Sequence, residues 1–244
     1  MHLPDPTFPP LLTGHDVRGK PGPFETACAG AQAGVAGAGD VFWARDTSRF
    51  DWACVLEPDV ETARALQMHF TAMVALGDAF GAITPPEVAF QYRWPGDLLV
   101  NGGRAGMARI AVGPEDGEGV PGWLVVGLDL LLKRDGGKHE PGADPDNTAL
   151  HEEGCGEVTR TELVDSVSRH FLTWVHTWND EGFRSVHENW LARAEGWQED
   201  ISLDWAGETH TGKFLTIDDE GNLLLKNNAG MISLAVSEAV ERPV

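Results

Sequence analysis

Residues 93–106 read Arg93-Trp94-Pro95-Gly96-Asp97-Leu98-Leu99-Val100-Asn101-Gly102-Gly103-Arg104-Ala105-Gly106. The pattern is a short strand, a tight turn at Pro-Gly, an apolar run, a second Gly-rich turn and the start of another strand. Arg93 and Arg104 flank a single carboxylate, Asp97. The three form one charged cluster around the Pro-Gly turn. The same residues also read as ordinary structure. Asp97 can cap the turn after Pro95, Arg104 can pair with Asp97 or Asp129, and Arg93 can stack or pair near Trp94.

Working upstream, Val60 to Phe80 places Leu66, Phe70, Met73, Val74 and Phe80 at helical spacing, a core face. Gly81 and the Pro85-Pro86 pair are expected to stop that helix. Asp40–Asp46 and Phe50–Leu56 read as strands joined by Thr47-Ser48-Arg49. Residues 24–38, small and Ala/Gly-rich, read as a weak helix. Residues 1–23 read as an irregular, proline-bearing arm lying on the body.

Downstream, Val88–Trp94, Arg104–Val112 and Gly122–Leu132 read as strands. The last is nearly all apolar, as a strand buried on both faces would be, and Asp129 is its anomaly. Residues 133–158 are rich in Gly, Pro, Asp and Glu and read as a long loop. Thr159-x-x-Glu162 and Ser185-x-x-Glu188 look like capping boxes opening two helices. From Ile201 the period falls to two, with strands expected near 209–217, 222–226 and 231–236, the pattern of a small β-barrel.

The formal net charge of −20 argues against nucleic acid, which needs a basic surface, and disfavours acidic membranes and acidic protein partners. An anionic small molecule then requires a locally basic pocket. No apolar run approaches a membrane span, and the first residues lack a basic segment followed by an apolar one, so no secretory signal is expected. Cys28, Cys54 and Cys155 are odd in number and widely spaced, which fits a reducing cytoplasm rather than a disulfide framework or a zinc site. His170 and His176 lie six apart, on different helical faces, and no metal ligation by the protein is expected.

The run Arg93 to Gly106 resembles the signature of the biotin and lipoate protein ligases. There a basic-Trp-Pro-Asn-Asp run leads through an apolar strand into Asn-Gly, a Lys and Ala-Gly. Asp40-Val41-Phe42-Trp43, the helical pair between Phe171 and Trp190, and the hairpin Lys213 to Leu225 resemble further parts of that family in the same order. The resemblance spans roughly residues 24–236. It implies an α+β fold: a mixed β-sheet with helices packed on it over 1–198, then a small SH3-like barrel over 199–244.

It also implies an activity. Members join a carboxylic acid such as biotin or lipoate to ATP, with Mg2+, as an acyl-adenylate. They then pass the acyl group to a lysine of a biotinyl- or lipoyl-acceptor domain. Two anions meet in the first step, so cations must offset their charge in the transition state. By resemblance Arg104 and Asp97 are the catalytic residues. Arg93, Trp94, Gly96, Asn101, Gly106, Arg45, Arg49, Gly127 and Asp129 are the substrate- and nucleotide-binding ones. The chain departs from the family pattern at four places. Only Ala44 to Arg49 stand where the family has a Gly-Arg-Gly-rich loop. Gly96 replaces the Asn, and Arg104 replaces the Lys with one residue deleted. Gly127-Leu128-Asp129-Leu130-Leu131 stands for Gly-x-Gly-x-Asn. The alternative function is a non-catalytic paralogue that binds a small carboxylate or regulates.

Overall fold

The computed structural model describes residues 3–134 and 146–242. Its strands β1 (Thr13–Val17), β2 (Asp40–Ala44), β3 (Arg49–Leu56), β4 (Phe90–Arg93), β5 (Asp97–Val100), β6 (Gly103–Val112) and β7 (Leu124–Leu131) form one sheet. The order is β1-β2-β3-β7-β6-β5-β4, with β1 and β2 parallel and every other pair antiparallel. Four more strands, β8 (Asp200–Trp205), β9 (Glu208–Ile217), β10 (Leu223–Asn227) and β11 (Gly230–Leu234), make a small antiparallel sheet. This is the mixed sheet plus small terminal β unit expected from the sequence.

Helices cover both faces of the large sheet. On one side lie α3 (Gln67–Ile83), α4 (Arg160–Glu181) and α5 (Phe183–Leu191), preceded by the single turn α2 (Thr62–Ala65). α3 is buried almost all round, from Gln67 to Phe80, because the sheet, α4, α5 and the small sheet surround it. The small sheet contributes Phe214, Ile217, Leu223, Leu225 and Leu234 to that same core. On the other face α1 (Pro23–Gln32) lays Phe24, Ala27, Cys28 and Ala31 on Ala53, Val55, Ala111 and Val125. β7 is thus buried on both sides, as its composition predicts.

Several local expectations change. The arm 1–23 carries β1, held by backbone pairing to β2. α1 is shorter than 24–38 because Gly34 takes φ +68° and closes the helix. The helix over 60–80 is split at Leu66, runs through Gly81, and ends at Thr84, the residue before Pro85. Thr159 and Glu162 form the reciprocal capping box that opens α4. Ser185 and Glu188 do not: Gly182, at φ +75°, is the N-cap of α5, three residues ahead of Ser185, and Ser185 bonds back to Glu181. Residues 135–145 of the loop expected over 133–158 lie outside the described residues; the described stretch after them holds a short 3-10 turn, Leu150–Glu152.

Candidate active site

Strand register assembles the site. Asp51 of β3 stands opposite Asp129 of β7, Asp129 opposite Met107 of β6, Met107 opposite Asp97 of β5, and Asp97 opposite Arg93 of β4. Opposed residues share a face, so side chains far apart in sequence line up across the sheet. That face is the one α1 covers only in part.

Three cavities run along it. The first, about 790 Å³, is lined by Lys20 and Gly22 before α1, by Phe24 and Glu25, and by Arg49, Asp51, Arg109, Gly127 and Asp129. The second, about 250 Å³, lies under the small sheet, with His69, Gly96, Asp97, Met107, Arg109 and Glu241 in its wall. The third, about 580 Å³, lies between Arg93, Trp94 and Asp97 on one side and Ile201 to Asp204 of β8 on the other. Arg109 borders the first two, and Arg93, Trp94 and Asp97 border the last two.

The segment 93–106 forms most of the central wall. Asp97 meets Arg104 Nε at 2.8 Å, an ion pair without hydrogen-bond alignment, and Arg93 at 3.8 Å. Arg93 also clasps Glu195 in bidentate fashion, one arm at 2.9 Å. Trp94 is buried, its indole N–H donating to Gly221 O at 2.9 Å, which ties this wall to the small sheet. His69 lies beneath the turn and donates through Nε2 to Pro95 O at 2.8 Å. Burial lowers its pKa to about 4, so the ring is neutral. A Cβ at Gly96 would sit 2.5 Å from Ala108 O and 3.2 Å from that ring, so this turn has no room for a larger residue. Asn101 takes φ +50° at the β5–β6 turn, where its side chain accepts from Ala89 N and donates to Glu153.

In the first cavity Arg49 Nη2 donates to Asp129 at 2.6 Å. Burial, reinforced by Asp129 across the ladder, pushes Asp51 up to about 7. Burial also raises Asp129, with Arg49 opposing it. Phe24 lies over Gly127, whose Cβ would stand 2.4 Å from the Phe24 ring, and this gives the cavity an apolar wall. Gly106 belongs to the β6–β7 contact, where a Cβ would strike Asp129 O at 1.9 Å.

The structure therefore brings Arg93, Trp94, Gly96, Asp97, Arg49, Gly127 and Asp129 to these cavities. Arg104 borders Asp97 and Met107 but none of the three linings. Arg45 does not join them. It packs on Trp43, on the helix side of the sheet, and is held by Asp5 at 2.7 Å and Asp16 at 2.6 Å. Sequence reading missed Lys20, Glu25, Asp51, Arg109 and Glu241. Asp51 and Arg109 each interrupt an apolar strand as Asp129 does, and that signal could have found them.

The model of the biotin/lipoate A/B protein ligase family matches residues 8–192. The chain belongs to that family. It is 34% identical over 199 residues to a biotin–[acetyl-CoA-carboxylase] ligase of Paracoccus denitrificans, covering 80% of this chain and 81% of that one. Among solved structures it is similar to a biotin protein ligase-like protein of unknown function from Silicibacter sp. TM1040. Identity is 36%, the TM-score 0.86, and coverage 96% of this chain and 99% of the other. Biotin protein ligase from Aquifex aeolicus in complex with biotin and ATP shares the fold, with a TM-score of 0.71 at 15% identity over 93% of this chain and 96% of that one. A ligase enzyme, the class expected from the sequence, is what membership of this family supports.

Proposed function

We propose that this chain is a biotin-type protein ligase. It activates a carboxylic acid with ATP as an acyl-adenylate and passes the acyl group to a lysine of an acceptor protein. The observation that carries the reading is the pair of cavities meeting at Arg109 on one sheet face, with the Asp97–Arg104 pair on the neighbouring strands. Attack of a carboxylate oxygen on the α-phosphorus forms the mixed anhydride and expels pyrophosphate. Two anions approach in that step, and fixed cations lower its barrier. The larger cavity, with Phe24 along Gly127, takes the body of the acid, and the next cavity takes the nucleotide. ATP enters as its Mg2+ complex, the metal carried by phosphate oxygens. Arg104 contributes positive charge beside the wall, and Asp97 orients the nucleotide or the incoming lysine amine. Attack of that amine on the acyl carbon then releases AMP.

A second reading, a binding module without adenylation, draws on a different observation. Each arginine on this face is already engaged by a carboxylate: Arg49 by Asp129, Arg93 by Glu195, Arg104 by Asp97 and Arg109 by Glu25 and Glu241. ATP–pyrophosphate exchange separates the readings. Exchange dependent on biotin, lipoate or octanoate, and lowered about tenfold or more in Arg104→Ala, is the expected result. Binding of the acid in calorimetry with no exchange would select the module. Silence in both assays with every acid would end both readings.

A further inference from the structure

Arg109 is the side chain shared by the two cavities assigned to acid and nucleotide. It stands over the Phe24 ring, 4.1 Å from the centroid. Nη1 donates to Glu25 at 2.6 Å, while Nε and Nη2 donate in parallel to the two oxygens of Glu241 at 2.8 and 3.0 Å. That two-pronged geometry is the one by which a guanidinium grips any carboxylate or phosphate. Burial works against the charge, and the two carboxylates outweigh it, so Arg109 stays cationic.

Glu241 arrives from the end of the chain. The tail leaves the small sheet and lies parallel to β6, with Glu241 N donating to Ile110 O at 2.9 Å and Val112 N to Glu241 O at 3.2 Å. These bonds bring a carboxylate from the opposite end of the sequence to the junction. Its side chain remains 45% exposed, against 26% for Arg109. Ion pairs so open to water change an equilibrium by about fivefold at most, so an incoming anion can replace this one.

We propose that Arg109 is the oxyanion-binding residue at the junction of the two cavities, and that the Glu241 carboxylate is the chain's own occupant of that site. A carboxylate or phosphate of the substrates displaces Glu241 and takes over the parallel fork, while Glu25 keeps Arg109 in place. With the tail carboxylate in, the site carries one Arg and two acids; with Glu241 displaced, the ligand anion restores the same balance. This assignment rests on the ligase reading for which ligand arrives, but not for the anion site itself.

The test is calorimetry on the full chain with AMP and with biotin separately, which distinguishes phosphate from carboxylate. Glu241→Gln should tighten at least one of them about two- to fivefold. Arg109→Lys, which keeps the charge but loses the fork, should weaken that same ligand about tenfold. In the Arg109→Lys background, Glu241→Gln should have no further effect. Unchanged or weaker binding in Glu241→Gln, or an equal gain in both backgrounds, overturns the proposal. If the unaltered chain binds neither AMP nor biotin, the ligase reading falls and pyrophosphate becomes the probe. Tighter pyrophosphate binding in Glu241→Gln still supports Glu241 as the occupant of the Arg109 site, and an unchanged affinity overturns it.

Discussion

Leu124, Val126, Leu128 and Leu130 of β7 point to one side of the large sheet, where α3 and α4 close a continuous apolar core. Val125, Gly127 and Asp129 point to the other, where α1 covers the first two, with Phe24 over Gly127, and a charged cleft opens over the last. The same alternation runs through β3, with Trp52 and Cys54 on the helix side and Asp51 and Ala53 on the cleft side. One face supplies the free energy of folding through apolar burial. The other uses that rigidity to hold partly exposed carboxylates and guanidiniums at fixed spacing. Neighbouring residues in one strand can therefore be altered with opposite consequences.

The largest contrast comes from Trp52. It is fully buried, meets Phe171 edge-on at 5.2 Å, and donates its indole N–H to Ser168 Oγ at 3.2 Å. Trp52→Ala should cost about 3–5 kcal/mol, read as a lowered urea midpoint. A loss below about 1 kcal/mol would mean that the helix-side face does not carry the stability assigned to it.

Gly127→Ala tests the other face. Its Cβ would enter the Phe24 ring at 2.4 Å, so the expected cost is about 1–3 kcal/mol from overpacking. Phe24→Ala opens that space, and the double variant should be less destabilised than the sum of the two single ones. Strict additivity would show that Phe24 does not press on Gly127.

How far these faces were legible follows from how far their signals are local. β7 and β6 announce themselves by apolar runs, and the small sheet by its period of two. β1 was hidden because Thr13-Gly14-His15-Asp16-Val17 has little apolar alternation and is held by backbone pairing. The wall 93–97 was legible because its residues are contiguous. Arg109 was not: its importance comes from Glu25 in α1 and Glu241 in the tail, and only the register of β6 brings the three together. Arg45 and Arg49 looked equivalent, both flanking one short turn, yet the turn sends Arg45 to Trp43 and Arg49 to the cleft. A spacing in sequence does not say on which side of a sheet a cation emerges.

Asp51 gives the smallest and most diagnostic difference. Burial and then Asp129 raise its folded-state pKa to about 7, whereas an aspartate in an unfolded chain titrates near about 3.9. Between those values the folded chain retains a proton that the unfolded chain has released. Stability therefore falls as pH rises through that window, and the penalty is complete above it. Asn cannot ionise and is close to the protonated acid in shape. Asp51→Asn should thus match the parent near about pH 4 and exceed it by about 1–2 kcal/mol near about pH 8, once screening at the cleft mouth is allowed for. Thermal unfolding at the two pH values measures the difference directly. If the advantage of Asp51→Asn were the same at both, or larger in acid, the Asp51 charge would not be what the cleft face pays for its function, and the contrast with the neighbouring Trp52 would rest on packing alone.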